Sequence, residues 1–297
     1  MPEILDSTRT ALAQTVARLA RSVGFNATGI PGVSVVMRTE KGEKRSFQKP
    51  YAALVLQGKK RTRVGDVEHV YGPGDLVVTC IDFPSFTTIE EASADKPFYS
   101  CVLEMNRELM AELSSEIGHA AAVDEPDGQP FFVARAEESV AQNVLRLLAL
   151  ADAPDTIALL APILIRELHA RLLLGLQGAW IRSVCSFGSH SNQIAAAVAM
   201  IKDNFREALP VTAIAGRVGL SEASLFRHFK NVTGFSPIQY QKILRLYEGR
   251  NILRSGRKTV AGTAFEVGYA SSSQFTNDYR RFFGLSPRED IRTGFAA

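Results

Sequence analysis

The sequence predicts an α+β chain in two parts. A β-rich N-terminal domain closes into a small barrel or sandwich with flanking helices, and an all-α C-terminal domain carries two helix-turn-helix units. Three observations predict this. The stretch VGLSEASLFRHFKNVTGFSP (Val218 to Pro237) is echoed by VGYASSSQFTNDYRRFFGLSP (Val267 to Pro287). Short alternating runs broken by glycine and proline fill the segment from Gly29 to Met105. Charge is divided unevenly: His190 to Ala297 holds 15 Lys and Arg against 8 Asp and Glu, a net +7, while residues 1–189 hold 19 against 23, a net −4. A basic C-terminal third on a mildly acidic remainder points to a polyanion partner for that third.

At 297 residues, 46% hydrophobic and 22% charged, the chain has globular composition and room for two cores. MPEILDSTRTALAQ lacks a basic start followed by an apolar run, so no signal peptide is expected. The apolar stretch from Ala158 to Leu176 carries Arg166, Glu167, His169 and Arg171, which argues against a membrane helix. Cys80, Cys101 and Cys185 are an odd, widely spaced set that suits a reducing cytoplasm better than a disulfide framework or a zinc site.

Within the β-rich part, Val33–Met37, Ala52–Leu56, Leu76–Ile81 and Tyr99–Met105 read as strands. Ser100 and Glu104 are the polar members of the last run and Thr79 of the third. Alternation then sends Tyr99, Cys101, Leu103 and Met105 inward, with Leu76, Val78 and Cys80 facing them. Together with Leu54 and Leu56, the residues Val78, Cys80, Tyr99, Cys101 and Leu103 form the expected pocket for a small hydrophobic or aromatic effector. Cys80 and Cys101 read first as small buried hydrophobes; a thiol sensor of an electrophile is the sharper alternative.

Ser139–Leu150 and Ile157–Leu176 read as helices. Their stripe Leu160, Leu164, Leu168 and Leu172 can form a homodimer seam or pack on the chain's own barrel. Ser183 to Ser191 reads as linker. The expected organisation is a barrel domain with a helical C-terminal part over 1–185, a linker over 186–192 and a double helix-turn-helix domain over 193–297.

In the first repeat, Val211, Ile214, Ala215 and Val218 line one face of a short helix. Gly219 turns the chain, Ser221 caps the next helix, and Leu225 and Phe229 are its buried pair. In the second, Val260, Ala264 and Val267 line the first helix, Gly268 turns, and Phe275, Tyr279 and Phe282 anchor the second. Both copies close on glycine and Ser-Pro, at Gly234 to Pro237 and Gly284 to Pro287, a helix-start signal. A helix from Pro237 to about Leu253 joins them. Two readers joined by a stiff helix can enter adjacent major grooves, which repeat every ~34 Å along one face of DNA.

The segment from Gln193 to Ile291 resembles the AraC/XylS family of transcription regulators. The likeness rests on Ile214 to Ser221, Leu225 to Lys230, Gly234 to Pro237, Arg245-Leu246, and Val267-Gly268-Tyr269 through Phe283 to Pro287. Leu56-Gln57-Gly58, Tyr71 to Leu76 and an Asp82-Phe83-Pro84 turn likewise resemble the cupin-type effector domain of one subgroup. The resemblance implies a cytoplasmic, effector-responsive regulator, an activator by family default, that binds double-stranded promoter DNA, touches RNA polymerase and works as a homodimer without a cofactor.

It also implies DNA contacts. Positions matching Ala223, Phe226 and Arg227 tend to meet DNA in the family. Ser224 and Lys230 share the outward side set by Leu225 and Phe229, whereas Phe226 reads more readily as packing. Arg227 is expected to read guanine or clamp a phosphate, and Ala223 to touch a thymine methyl. On the second helix, Ser272, Ser273, Gln274 and Asn277 occupy the contact positions, a set short of arginine.

Two departures stand out. Gly249 replaces the usual alanine in the joining helix and reads as a site of close packing. Asp290 replaces the aromatic kept in the first copy as Tyr240, so the last helix is expected to be less well anchored.

No enzymatic activity is expected, and two alternatives stand beside the regulator. One is a constitutive DNA-binding protein with no ligand. The other is a metal-dependent cupin enzyme, against which the histidines argue: only His69 falls between Gly58 and Met105, and His119, His169, His190 and His228 lie in helical or linker sequence.

Overall fold

The computed structural model describes residues 4–117, 131–175, 178–185 and 189–293. Helix α1 (Asp6–Leu19) leads into nine strands: β1 (Gly24–Ala27), β2 (Val33–Arg38), β3 (Gly42–Gln48), β4 (Tyr51–Gln57), β5 (Lys59–Val64), β6 (Val67–Tyr71), β7 (Asp75–Thr79), β8 (Phe83–Glu91) and β9 (Phe98–Glu104). Helix α2 (Arg107–Ile117), strand β10 (Phe132–Arg135) and helices α3 (Glu138–Ala149), α4 (Pro154–Leu174) and α5 (Gly178–Cys185) complete the N-terminal part.

The strands form two antiparallel sheets, ordered β1-β2-β9-β4-β7-β10 and β3-β8-β5-β6. The four strands expected from sequence are β2, β4, β7 and β9, neighbours in the larger sheet. The smaller sheet is built from runs such as GEKRSFQ and KKRTRV, whose charge hides the alternation. The expected Asp82-Phe83-Pro84 turn is instead the start of β8. Pro84 pairs with Phe47 of β3, and the ladder to β5 begins only at Phe86, so the missing N–H breaks no bond on that side.

Helices α1, α3 and α4 cover the outer face of the larger sheet. Leu54, Leu56, Cys101 and Leu103 point into a cluster with Leu12, Val16, Val144, Leu147 and Leu168. His169 of α4 is fully buried and satisfied, accepting the Asn106 N–H at 3.1 Å and bonded to the Ile165 carbonyl at 2.8 Å. Leu164, Leu168 and Leu172 are thus interior residues, while Leu159, Leu160 and Ile163 are exposed at 75%, 43% and 62%. Of the stripe offered as a dimer seam, only Leu160 faces outward.

The helical domain runs α6 (His190–Asn204), α7 (Val211–Val218), α8 (Glu222–Thr233), α9 (Pro237–Arg254), α10 (Val260–Glu266), α11 (Ser272–Phe283) and α12 (Pro287–Arg292). Residues 186–188 of the expected linker lie outside the described residues, and α6 already begins at His190 behind its Ser189 cap. The repeat extends to the caps. Ser221 and Ser271 accept the N3 amides of α8 and α11, and Ser236 and Ser286 form capping boxes with Gln239 and Glu289. Gly219 (φ 73°) and Gly268 (φ 88°) make the turns in the left-handed region that disfavours other residues. At Gly268 a Cβ would also meet the Arg206 carbonyl.

Helix α9, about 27 Å long at ~1.5 Å per residue, braces both units. Arg245 donates to the carbonyls of Phe205 and Glu207 and, at 2.8 Å, to that of Gly268. Gly249 is buried where a Cβ would lie 2.8 Å from the Phe275 ring, the close packing its sequence position suggested. Asp290 departs from expectation. It is 1% exposed, paired with Arg250 at 2.8 Å, and accepts the Tyr279 hydroxyl at 2.5 Å. A buried ion pair thus anchors α12 where the first copy uses an aromatic ring.

The two parts share a core. Trp180, Ile181 and Val184 of α5 join Ile194 and Val198 of α6, Phe229 of α8 and Tyr240 of α9. Tyr240 donates its hydroxyl to the Asp82 carbonyl at 2.8 Å, and Lys202 pairs with the Asp82 carboxylate at 2.7 Å. Phe47 of β3 packs edge-on against Tyr240 and Tyr247 of α9, and Phe86 of β8 lies against Phe282 of α11.

Candidate nucleic-acid interface and effector cavity

Helix α8 buries Leu225, Phe229 and Val232, which fixes its rotation. Ala223, Arg227 and Lys230 are therefore exposed, and Ser224, half-buried, gives its amide to the Ser221 cap. Phe226, which the sequence assigned more readily to packing, is 36% exposed beside Arg227. The Arg227 guanidinium lies 3.3 Å from the His228 ring nitrogen, and His228 stacks on His190 at 4.0 Å.

Helix α11 buries Phe275, Asp278 and Tyr279 and exposes Ser273, Gln274 and Asn277. Ser272 is half-buried, and its carbonyl accepts the Thr276 hydroxyl. The view of this helix as short of arginine missed Arg280 and Arg281, both exposed in its last turn. Their signal in the sequence is the Arg-Arg pair in the last turn of the helix. The eight expected contact residues thus divide between two helices that α9 holds together.

The N-terminal part encloses a cavity of about 380 Å³ between the two sheets, within the roughly 300–1,000 Å³ of small-molecule sites. Its walls are the opposite faces of the strands from those expected. From β9 they take Phe98, Ser100, Val102 and Glu104, and from β4 Tyr51, Ala53 and Val55. None of Leu54, Leu56, Val78, Cys80, Tyr99, Cys101 and Leu103 lines it. Leu54, Leu56, Tyr99, Cys101 and Leu103 belong to the cluster under α1, α3 and α4, and Val78 and Cys80 to the core shared with the helical domain. The correction is one of parity. Apolar-inward alternation assumes a solvated outer face; here helices cover that face, and the polar residues turn toward the cavity.

Arg38, Lys44 and Lys60 are among those polar residues, with Ser46, Gln48 and Thr87. Burial, and then the charges of Arg38 and Lys44, bring the Lys60 ammonium down to about 8. Lys44 is lowered by burial, by Arg38, and by Arg254 and Arg250 of α9. Tyr71, also in the wall, is raised by burial and shares a 2.7 Å hydroxyl contact with Thr62.

The thiols lie elsewhere. Burial pushes Cys101 up to about 12, and Cys80 is raised by burial and by Cys185, with which it lines a separate 160 Å³ cavity. Raised pKa values disfavour the reactive thiolate. Among the described residues no group of three His, Cys, Asp or Glu is placed to hold a metal ion, and no helix is long and apolar enough to cross a membrane.

A ligand-sized cavity beside a pair of braced helix-turn-helix units defines a class: a chain with a β-rich compartment and a double helix-turn-helix module. Known proteins agree. Residues 29–180 match the family model for the AraC-type transcriptional regulator N-terminus, and residues 214–293 match a helix-turn-helix domain model. The chain belongs to the AraC-type transcriptional regulators.

It is 43% identical over 97 residues to the HTH-type transcriptional activator RhaS of Escherichia fergusonii, covering 33% of this chain and 34% of that protein. It is 32% identical over 171 residues to RhaS of Escherichia coli, covering 57% and 60%. The matches thus span less than two thirds of these relatives. Among solved structures, that of unsaturated fatty acid bound ToxT from Vibrio cholerae aligns over 87% of this chain and 94% of its own, with a TM-score of 0.57 at 12% identity. At that identity the likeness concerns the fold.

Proposed function

We propose that this protein is a sequence-specific transcriptional activator that reads two adjacent major grooves of promoter DNA and responds to a small molecule held in its barrel cavity. The observation that carries the reading is the pairing of two exposed recognition faces, α8 and α11, on one bracing helix. Arg227 would pair with guanine and Asn277 and Gln274 with adenine. Ala223 would meet a thymine methyl, and Ser224, Lys230, Ser272 and Ser273 would hold the backbone. Arg280 and Arg281 would add phosphate contacts at the far end of α11.

RhaS, the relative matched in both Escherichia species, is a transcriptional activator, which supports activation and with it contact with RNA polymerase. The units proposed are a sensing part over 1–185 and a reading part over 193–297. The exposed Leu159, Leu160 and Ile163 of α4 are the proposed homodimer seam, in place of the inward Leu164, Leu168 and Leu172.

Selection of duplexes from a random pool by the purified chain, at fixed moderate salt, tests the reading. It predicts an enriched site with two blocks about 10 base pairs apart. Enrichment of a single short block, or of none with and without effector candidates, overturns it.

A further inference from the structure

The cations of the barrel strands fall into two sets. Most of those turned outward have carboxylate partners: on β5, Lys59 and Arg61 pair with Glu90, at 3.9 and 2.5 Å, and on β3, Arg45 pairs with Glu43 at 3.7 Å, while Arg63 lies over the Phe86 ring at 4.4 Å. Those turned into the cavity do not. Arg38, Lys44 and Lys60 line one cavity, and among the described residues no carboxylate comes within ion-pair distance of any of them. Glu104, also in the wall, is exposed and makes no such pair. What they have is weaker. Arg38 lies over the Phe25 ring and donates to its neighbour's carbonyl, and Lys60 lies 5.9 Å from the Phe98 ring centroid.

Partly buried like charges with no counterion are costly in a folded chain. Three that converge from three strands on one cavity form a positive site waiting for a negative partner. The rest of the wall includes Val36, Val55, Val77, Ile89 and Phe98, which suits an apolar body rather than a polyhydroxylated one.

We infer that the barrel cavity binds a small organic acid, its carboxylate held by Arg38, Lys44 and Lys60 and its hydrocarbon or aromatic body lying against the apolar wall. This names the chemical class of the effector and so rests on the effector reading above. The site borders the reading domain. Phe47, at the end of β3, lines the cavity and packs on Tyr240 and Tyr247 of α9. The charge of Lys44 is felt together with those of Arg250 and Arg254 on the same helix. An anion at the three cations changes the field and packing beside the helix that braces both readers.

The test is calorimetric titration of the full chain at pH 7, without DNA. The probes are straight-chain acids from hexanoate to dodecanoate, together with benzoate and 1-naphthoate, each beside its uncharged amide. The inference predicts that at least one acid binds at least about tenfold more tightly than its amide, a difference of ~1.4 kcal/mol. Lys60→Met and Lys44→Met, each verified as folded by its melting transition, are expected to lose about tenfold or more of that affinity. Equal binding of acid and amide, undiminished binding by both variants, or no binding of any acid overturns it. Because DNA is absent, failure of the DNA-reading proposal leaves this result unaffected, and the reverse also holds.

Discussion

The helical domain and the barrel use alternation in opposite senses. In the helical domain an apolar residue at a periodic position marks the interior, as Leu225, Phe229, Phe275 and Tyr279 show, and the polar remainder is the working surface. In the barrel the most apolar strand faces point outward, under helices. The inner face, which lines the cavity, carries Arg38, Lys44, Lys60 and Ser100 among its apolar residues. A cavity wall that sets cations and hydroxyls among apolar residues breaks the alternation, so the interior of a barrel can read like an exterior.

The comparison predicts substitutions of opposite sign. The largest effect is expected at Phe275, fully buried between α9 and Tyr269. Phe275→Ala should lower unfolding stability by about 3–5 kcal/mol, measured by denaturant titration. Next is Gly249→Ala, which gains helix propensity but drives a methyl into the Phe275 ring. A net loss of about 1–3 kcal/mol is expected, and a gain would refute the close-packing account.

Lys60 should behave the other way. Its ammonium is brought down from 10.5 to about 8, so between those pH values the unfolded chain holds a proton that the native chain has released. Stability of the ligand-free protein should therefore rise with pH across that window. The cost of burying the charge is fully present below it. Arg38, Lys44, Lys49, Tyr51, Tyr71 and Glu104 are the other ionisable groups in the wall; Lys44 shifts in the same direction, and burial raises Tyr51 and Tyr71. Lys60→Met should be at least as stable as the wild type at pH 7 and should lack most of the rise. The smallest effect is expected at Cys101. Cys101→Ala, on the helix-covered face, should cost under about 1.5 kcal/mol and leave acid binding unchanged, whereas Ser100→Val, one residue away on the cavity face, should alter it.

How much was legible follows the same division. The helices of the repeat, the Ser221 cap and the glycine turns at Gly219 and Gly268 could be read from residue spacing, because local geometry demands those residues; the matching Ser271 cap emerged only in the structure. Four strands were legible for the same reason. The strands β3, β5, β6 and β8 were not, because Lys44 and Lys60 face a cavity and so do not look buried. The barrel's inner face was missed because parity depends on which side the helices cover, and that is set by contacts more than a hundred residues apart, such as the Thr8 hydroxyl with the Glu138 carboxylate. The Arg250–Asp290 pair that replaces an aromatic anchor was illegible because its partners are 40 residues apart.

The proposed arrangement is two independent readers on a common brace within one chain. Its most direct test is to repeat the duplex selection with Arg227→Ala and with Asn277→Ala. The account predicts that each variant relaxes a different block of the selected site, each by about 1–3 kcal/mol of base discrimination, and keeps the other. If both variants erase the same block, or if either erases both, the two helices do not read DNA as separate units.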